Sequence, residues 1–220
     1  EYAVDGFLSL PVDVLGSEYI VISHWNARGN NRGEVVVSAI EDNTNIKISF
    51  SDVQHMTVKL QKHESYHYRH FDLTGVLITA DKPVSVMSSL DSVKVPHFAK
   101  GFDLLIEQLP PTSALGVRYI LAPFLGRRSG FVYRVVAIPP LQTQVTVSDG
   151  AIVTLQPREY FEGESNKVIT ITANNPIMVA QFAKSFYTDE SGDPFMVVVP
   201  SPEFYSGNVT FPVVKLTTSL

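Results

Sequence analysis

The chain has no cysteine among its 220 residues. That absence excludes thiol catalysis, cysteine-ligated zinc and iron–sulfur clusters. It does not fix a compartment, because a domain of this size can bury enough apolar surface without disulfides. No apolar run approaches the length of about 18 residues needed for a membrane-spanning helix, so membrane insertion is not expected. Long basic runs are missing, and the net charge of −5 argues against a nucleic-acid partner. Amphipathic helical spacing with a cap is absent as well. The 14 prolines and 13 glycines leave little room for helices. Neither a G-x-S-x-G elbow nor a P-loop occurs, and the H-E-x-x-H string His63-Glu64-Ser65-Tyr66-His67 falls in strand-like sequence and not on the helix that a zinc-binding pair of this spacing requires. We therefore expect no enzyme and no cofactor.

What the chain does have is a sentence said twice. Leu10-Pro11, Leu15-Gly16, Tyr19-Ile20 and Val36–Ile40 return as Leu109-Pro110, Leu115-Gly116, Tyr119-Ile120 and Val135–Ile138. Leu60-Gln61 is matched by Leu155-Gln156, and Ile78–Val86 by Ile171–Val179. The offset drifts from 100 (Tyr19 to Tyr119) to 93 (Ala80 to Ala173), as loop deletions between fixed strands would make it. A period this long exceeds the solenoid range and suits a small domain. Val199-Pro200 and Asn208–Phe211 read as a third opening. With a start at Glu1, this suggests a piece of a longer protein.

Short runs rich in β-branched residues predict strands near 19–23, 34–39, 45–49, 57–60, 65–69, 75–79 and 84–88. A second set falls near 119–122, 132–137, 144–147, 152–155, 168–172 and 177–182. Turn chemistry separates them at Asp42-Asn43, Asp81-Lys82-Pro83, Pro139-Pro140, Ser148-Asp149-Gly150 and Asn174-Asn175-Pro176. Alternation in Asn45–Ser49 and Gln144–Ser148 predicts sheets with one wet face. The continuous apolar runs Gly75–Ile78 and Phe195–Val199 predict central strands covered on both sides. The expected fold is all-β: two tandem β-sandwich-like units of about 95 residues packed together. Their expected bounds are 1–90 and 109–198, with 91–108 a packed connection and 199–220 a third unit's start or a closing strand.

Candidate chemistry is sparse. His63, His67 and His70, with His55 nearby, crowd one segment, but with Tyr66 and Tyr68 between them they read as a surface ladder and not as a zinc site. In the loop Thr188–Asp193, Asp189, Glu190 and Asp193 are weak candidates for calcium, because the order of acids differs from an EF-hand and the closing glutamate is missing. No metal is expected. Asn208-Val209-Thr210 is a glycosylation sequon that matters only in a secretory setting. The loop after the first strand is decorated alike in both copies, with Trp25, Arg28 and Arg32 in one and Arg127 and Arg128 in the other. Four of the eight arginines lie there. Guanidinium forks on glycine-rich loops suit carboxylate, sulfate or phosphate, and Trp25 offers a stacking face. The bland alternative is a solvated hairpin with Trp25 folded over the core.

Asp5-Gly6-Phe7-Leu8-Ser9-Leu10-Pro11 opens a pattern continued by Glu41-Asp42-Asn43-Thr44, Ala80–Val84, Glu107-Gln108-Leu109-Pro110-Pro111, Tyr133–Ala137 and Gly192-Asp193-Pro194-Phe195-Met196. With these motifs, over about residues 5 to 212, the chain resembles the IgGFc-binding protein N-terminal domain family. The resemblance implies an extracellular, non-enzymatic module of mucus, matrix or adhesive proteins, often beside von Willebrand factor type D domains. It does not imply antibody binding. Family members often carry a cysteine pair around the Val-Pro loop, where this chain has Ser92 and Phe102. The connection is then expected to be held by packing of Phe98, Phe102 and Leu105. We read the chain as a secreted adhesion or assembly module. Its expected partner is an extracellular protein or glycan, or a second copy through self-association. The alternative is a lectin-like carbohydrate-binding module using the arginine–glycine loops.

Overall fold

The computed structural model describes residues 5–24, 33–96, 98–99, 101–186 and 192–208. Among them the chain is all-β, with fifteen strands. The first half holds β1 (Gly16–Ile20), β2 (Gly33–Ala39), β3 (Thr44–Ser49), β4 (His55–Leu60), β5 (Ser65–His70), β6 (Leu77–Val93) and β7 (Asp103–Gln108). The second holds β8 (Arg118–Leu121), β9 (Phe131–Ala137), β10 (Thr143–Val147), β11 (Ile152–Leu155), β12 (Tyr160–Ser165), β13 (Ile169–Ala173), β14 (Ile177–Ala183) and β15 (Met196–Val198). Three single-turn 3-10 helices punctuate the strands at Val12–Val14, Thr112–Ala114 and Pro202–Phe204.

Pairing follows one order in both halves. The second half forms two antiparallel sheets, β11-β10-β13-β8 and β12-β9-β14-β15. In the first half the same sequence of neighbours reads β4-β3-β6-β1 and β5-β2-β6-β7, because one long β6 serves both groups. The Asp81-Lys82-Pro83 stretch, expected to be a turn, instead lies inside β6. Its counterpart Asn174-Asn175-Pro176 does break the chain between β13 and β14. Proline lacks a ladder donor, so it suits the point where β6 leaves one set of partners for the other. β12, with two glutamates and a glycine, carries little strand propensity and is specified by its pairing with β9.

A repeated tyrosine fixes the start of each half. The Tyr19 hydroxyl donates to the Val84 carbonyl (2.6 Å) and accepts from the Gly16 N–H (2.9 Å). The Tyr119 hydroxyl does the same with the Ile177 carbonyl (2.5 Å) and the Gly116 N–H (3.1 Å). Both phenols are buried, and burial pushes the Tyr119 hydroxyl up to about 12. Ala39 and Ala137 are likewise both buried. Each accepts from a left-handed residue two positions before the next strand, His63 and Arg158 respectively.

β9 and β14 are buried at every residue. Phe131, Tyr133, Val135, Ile177 and Val179 pack into the core of the second half. Val132, Val136, Met178, Ala180 and Phe182 point the other way and join the core of the first half. Arg134 lies in this shared layer, only 2% exposed. It donates to Glu162 (2.7 Å), Asp72 (3.0 Å), Thr74 Oγ1 (2.9 Å) and the Ser23 carbonyl (2.8 Å). Its guanidinium carbon lies 4.4 Å from the centre of the Tyr160 ring. Burial alone would raise the Asp72 carboxyl, but Arg134 and the Thr74 donors hold it below its usual range.

Two expectations need correction. Phe195–Val199 is not central: among the described residues β15 pairs only with β14, and Val197 is exposed. Its apolar residues line an open groove instead. Phe98 is not buried in the connection, being 75% exposed. Residues 91–93 belong to β6, and β7 returns antiparallel to it. Leu105 is buried there, and the intervening turn is tied by reciprocal bonds between Val95 and Ser185.

The shared layer predicts cooperative unfolding. Calorimetry is expected to show one transition. Arg134→Ala is expected to lower stability by about 2–4 kcal/mol, toward the lower end because Glu162 is partly solvated. Two separated transitions in the parent chain would show that the halves melt independently.

Candidate functional site

Residues 5–10 run beside β7. The Asp5 carboxylate accepts from the Ile106 N–H (2.9 Å), and the Leu10 N–H donates to Gln108 Oε1 (2.8 Å). The Gln108 amide nitrogen is anchored in turn on Ser85 Oγ (3.0 Å). β15 and the Pro202–Phe204 turn approach the same place. Between these segments opens a groove of about 820 Å³ lined by Phe7, Leu8, Leu10, Val197, Val198 and Phe204, among others. It is larger than the hollows beside β3–β4 (about 480 Å³) and beside Phe50 and Tyr68 (about 250 Å³). Its lining is mainly apolar, as ligand grooves usually are.

Two carboxylates, Asp5 and Glu107, lie in that lining, and no cationic side chain does so among the described residues. Burial pushes Glu107 up to about 7, the neighbouring Asp5 charge adds to this, and the Val198 N–H opposes it. Burial raises Asp5 too, against donors from Ile106, Gly6 and Met196, with the Asp103 charge adding to the rise. Raised carboxyls in an apolar cleft are also what general acid catalysis uses. Here they accept from backbone N–H groups of β7 and β15, and no nucleophile stands beside them in the lining. Such an arrangement ties residues 5–10 and β15 to β7.

The loop residues expected to bind lie elsewhere. Arg127 donates to the carbonyls of Lys184 (3.2 Å), Gly192 (2.8 Å) and Asp193 (2.5 Å) and lies over the Phe195 ring. It thereby fastens the chain leading into β15. Arg128 is exposed. Asp193 contributes its carbonyl to Arg127. Trp25, Arg28, Arg32, Asp189 and Glu190 lie outside the described residues. Asn208 is exposed. His67 pairs with Glu34 (2.7 Å), which also holds Arg69, whereas His63 sits in the preceding turn and not on the strand.

A family model described as IgGFc binding protein matches residues 5–218. The chain belongs to this family. A curated human relative, IgGFc-binding protein, is 27% identical over 215 residues, covering 89% of this chain. The chain spans only 4% of that relative's length. Asp5, Glu107 and Phe195, from segments on which the resemblance was read, are distant in sequence, yet all three contribute to the groove. Sequence reasoning had these residues in hand as a signature without assigning them a site. The missing signal was spatial, since nothing in the spacing says that 5–10 lies against β7.

The groove carboxylates set a pH dependence. Glu107 binds its proton more tightly in the folded chain than in the unfolded one, between the ordinary value of 4.5 and about 7. Stability should therefore be fuller below that window and fall as pH rises through it, by an amount on the order of 1–2 kcal/mol. Thermal melts from pH 5 to 8 are expected to show this decline, and Glu107→Gln is expected to flatten it and raise Tm at pH 8. A Tm that climbs with pH across the window would contradict the assignment.

Proposed function

We propose that this chain is a secreted, non-enzymatic protein-binding module that serves adhesion or assembly in an extracellular protein. It is built as two tandem β units, 1–90 and 109–198. In this reading residues 91–108 complete the first sheet, and 199–220 start a third unit or supply a closing strand, with 209–220 lying outside the described residues. The observation that carries the reading is the groove itself. Asp5, Glu107 and Phe195 meet at an open, mainly apolar cleft in whose lining, among the described residues, neither a cationic side chain nor a nucleophile stands. Among the described residues no helix is long and apolar enough to cross a membrane.

The human relative is named for binding immunoglobulin G Fc, which makes an immunoglobulin fragment one natural probe and purified mucin glycoprotein another. The partner in this proposal is protein, gripped by apolar contacts. Affinity should then change little over about 0.05 to 0.5 M salt, because apolar burial is not screened as charge pairs are. The exposed pair Leu8→Asp and Val197→Asp should leave Tm within a degree or two while weakening binding about tenfold or more. Biolayer interferometry against both probes and against the chain itself checks this. Binding confined to sulfated glycans, lost with salt and with neutralisation of Arg28, Arg32, Arg127 and Arg128, would replace it with the lectin reading.

A further inference from the structure

The Pro-led 3-10 turn occurs three times, but only two copies are seated. The turn at Thr112–Ala114 packs on the first strand of the first half. A Cβ on Gly16 would lie 2.5 Å from the Pro111 Cβ, and the Thr112 hydroxyl donates to Glu18 (3.0 Å). The turn at Pro202–Phe204 packs on the matching place in the second half. A Cβ on Gly116 would collide with Ser201 and Glu203, while Glu203 pairs with Arg118 (3.7 Å) and accepts from the Val117 N–H. Pro111 and Ser201, which hold the same position ahead of their turns, are both buried.

Among the described residues the first copy has no such seat. Pro11 stands at that position ahead of the Val12–Val14 turn, and Pro11, Val12, Asp13 and Val14 are all exposed. Val12 is 62% exposed, and the contrast with the other copies lies at the position ahead of the turn, where Pro111 and Ser201 are buried and Pro11 is not.

We propose that the Pro11–Val14 turn is a docking surface for the first strand of another β unit of this same kind. The seat it fits has glycine facing Pro11 and a basic residue two positions later facing Asp13, as Gly116 and Arg118 face Ser201 and Glu203. Asp13 occupies the place of Glu203, so the acidic partner for that base is already present. The inference goes beyond the groove reading: residues 11–14 do not line the groove, and their occupant is a module of this fold and not an unrelated protein.

Because the chain has no cysteine, one introduced thiol reports the surface. Pro11→Cys places a small side chain where the third copy has Ser201. A copy of residues 109–194 is then fused ahead of Asp5, so that Pro11 follows the copied Asp193 at the same spacing as Ser201 follows Asp193 in the chain. Alkylation of the introduced thiol is expected to slow at least about tenfold in the fusion relative to the unfused variant. Gly116→Leu in the added copy alone should restore the fast rate, since that side chain fills the seat without backbone strain. An unchanged rate in the fusion, whether the added copy folds apart or fails to fold, would overturn the proposal. So would a slowed rate that Gly116→Leu leaves intact. Neither result bears on the groove, which the Leu8 and Val197 variants test separately.

Discussion

Burial of one sheet on both of its faces is the constraint from which the rest of this structure follows. β9 and β14 give alternate side chains to two cores, one within the second half and one shared with the first. A strand in that position must be apolar throughout, and both nearly are. The exceptions are held by dedicated partners. Arg134 binds two carboxylates, a hydroxyl and a carbonyl, and Gln181 donates to the Ala122 carbonyl (2.7 Å). An unpaired guanidinium at that depth would cost several kcal/mol, so Asp72 and Glu162 are as much a condition of the layer as its valines. Because Asp72 comes from the first half and Glu162 from β12, the arginine also ties the two halves to one geometry.

From that packing the groove follows. Once β14 lies against the first half, its neighbour β15 comes close to β7, and two edge strands with outward donors face one another. Exposed edges invite unwanted pairing. The carboxylates of Asp5 and Glu107 occupy some of those donors, which accounts for acidic groups in an otherwise apolar cleft. Burial raises both carboxyls, so the same contacts that finish the edges leave the cleft sensitive to pH near neutrality. The proposal of a protein partner rests on this apolar cleft, which has no cation in its lining among the described residues, and on Arg127 being committed to three carbonyls.

The legible parts of the sequence were those with local causes. Period-two alternation in β3 and β10, the turn residues at Asp42-Asn43 and Ser148-Asp149-Gly150, and the spaced Tyr19 and Tyr119 all pointed to β structure and to a recurring order of strands. The illegible parts had non-local causes. Pro83 reads as a turn from its neighbours, yet β1, β2 and β3 hold it within one strand. Phe195–Val199 reads as central, since an apolar run looks the same whether it faces a core or an open groove. β12 has poor propensity and is recruited by β9.

By itself, then, the sequence determined the all-β class, the doubled pattern, the absence of thiol chemistry and the family. These depend on composition and on spacing along one chain. Only the tertiary structure decided that Arg127 braces a loop, that Arg134 lies between the halves, and that Asp5, Glu107 and Phe195 meet. Those outcomes depend on which distant strands share a face. Sequence spacing cannot carry that information, because hydrogen bonds across sheets and the burial of side chains between them join residues a hundred positions apart.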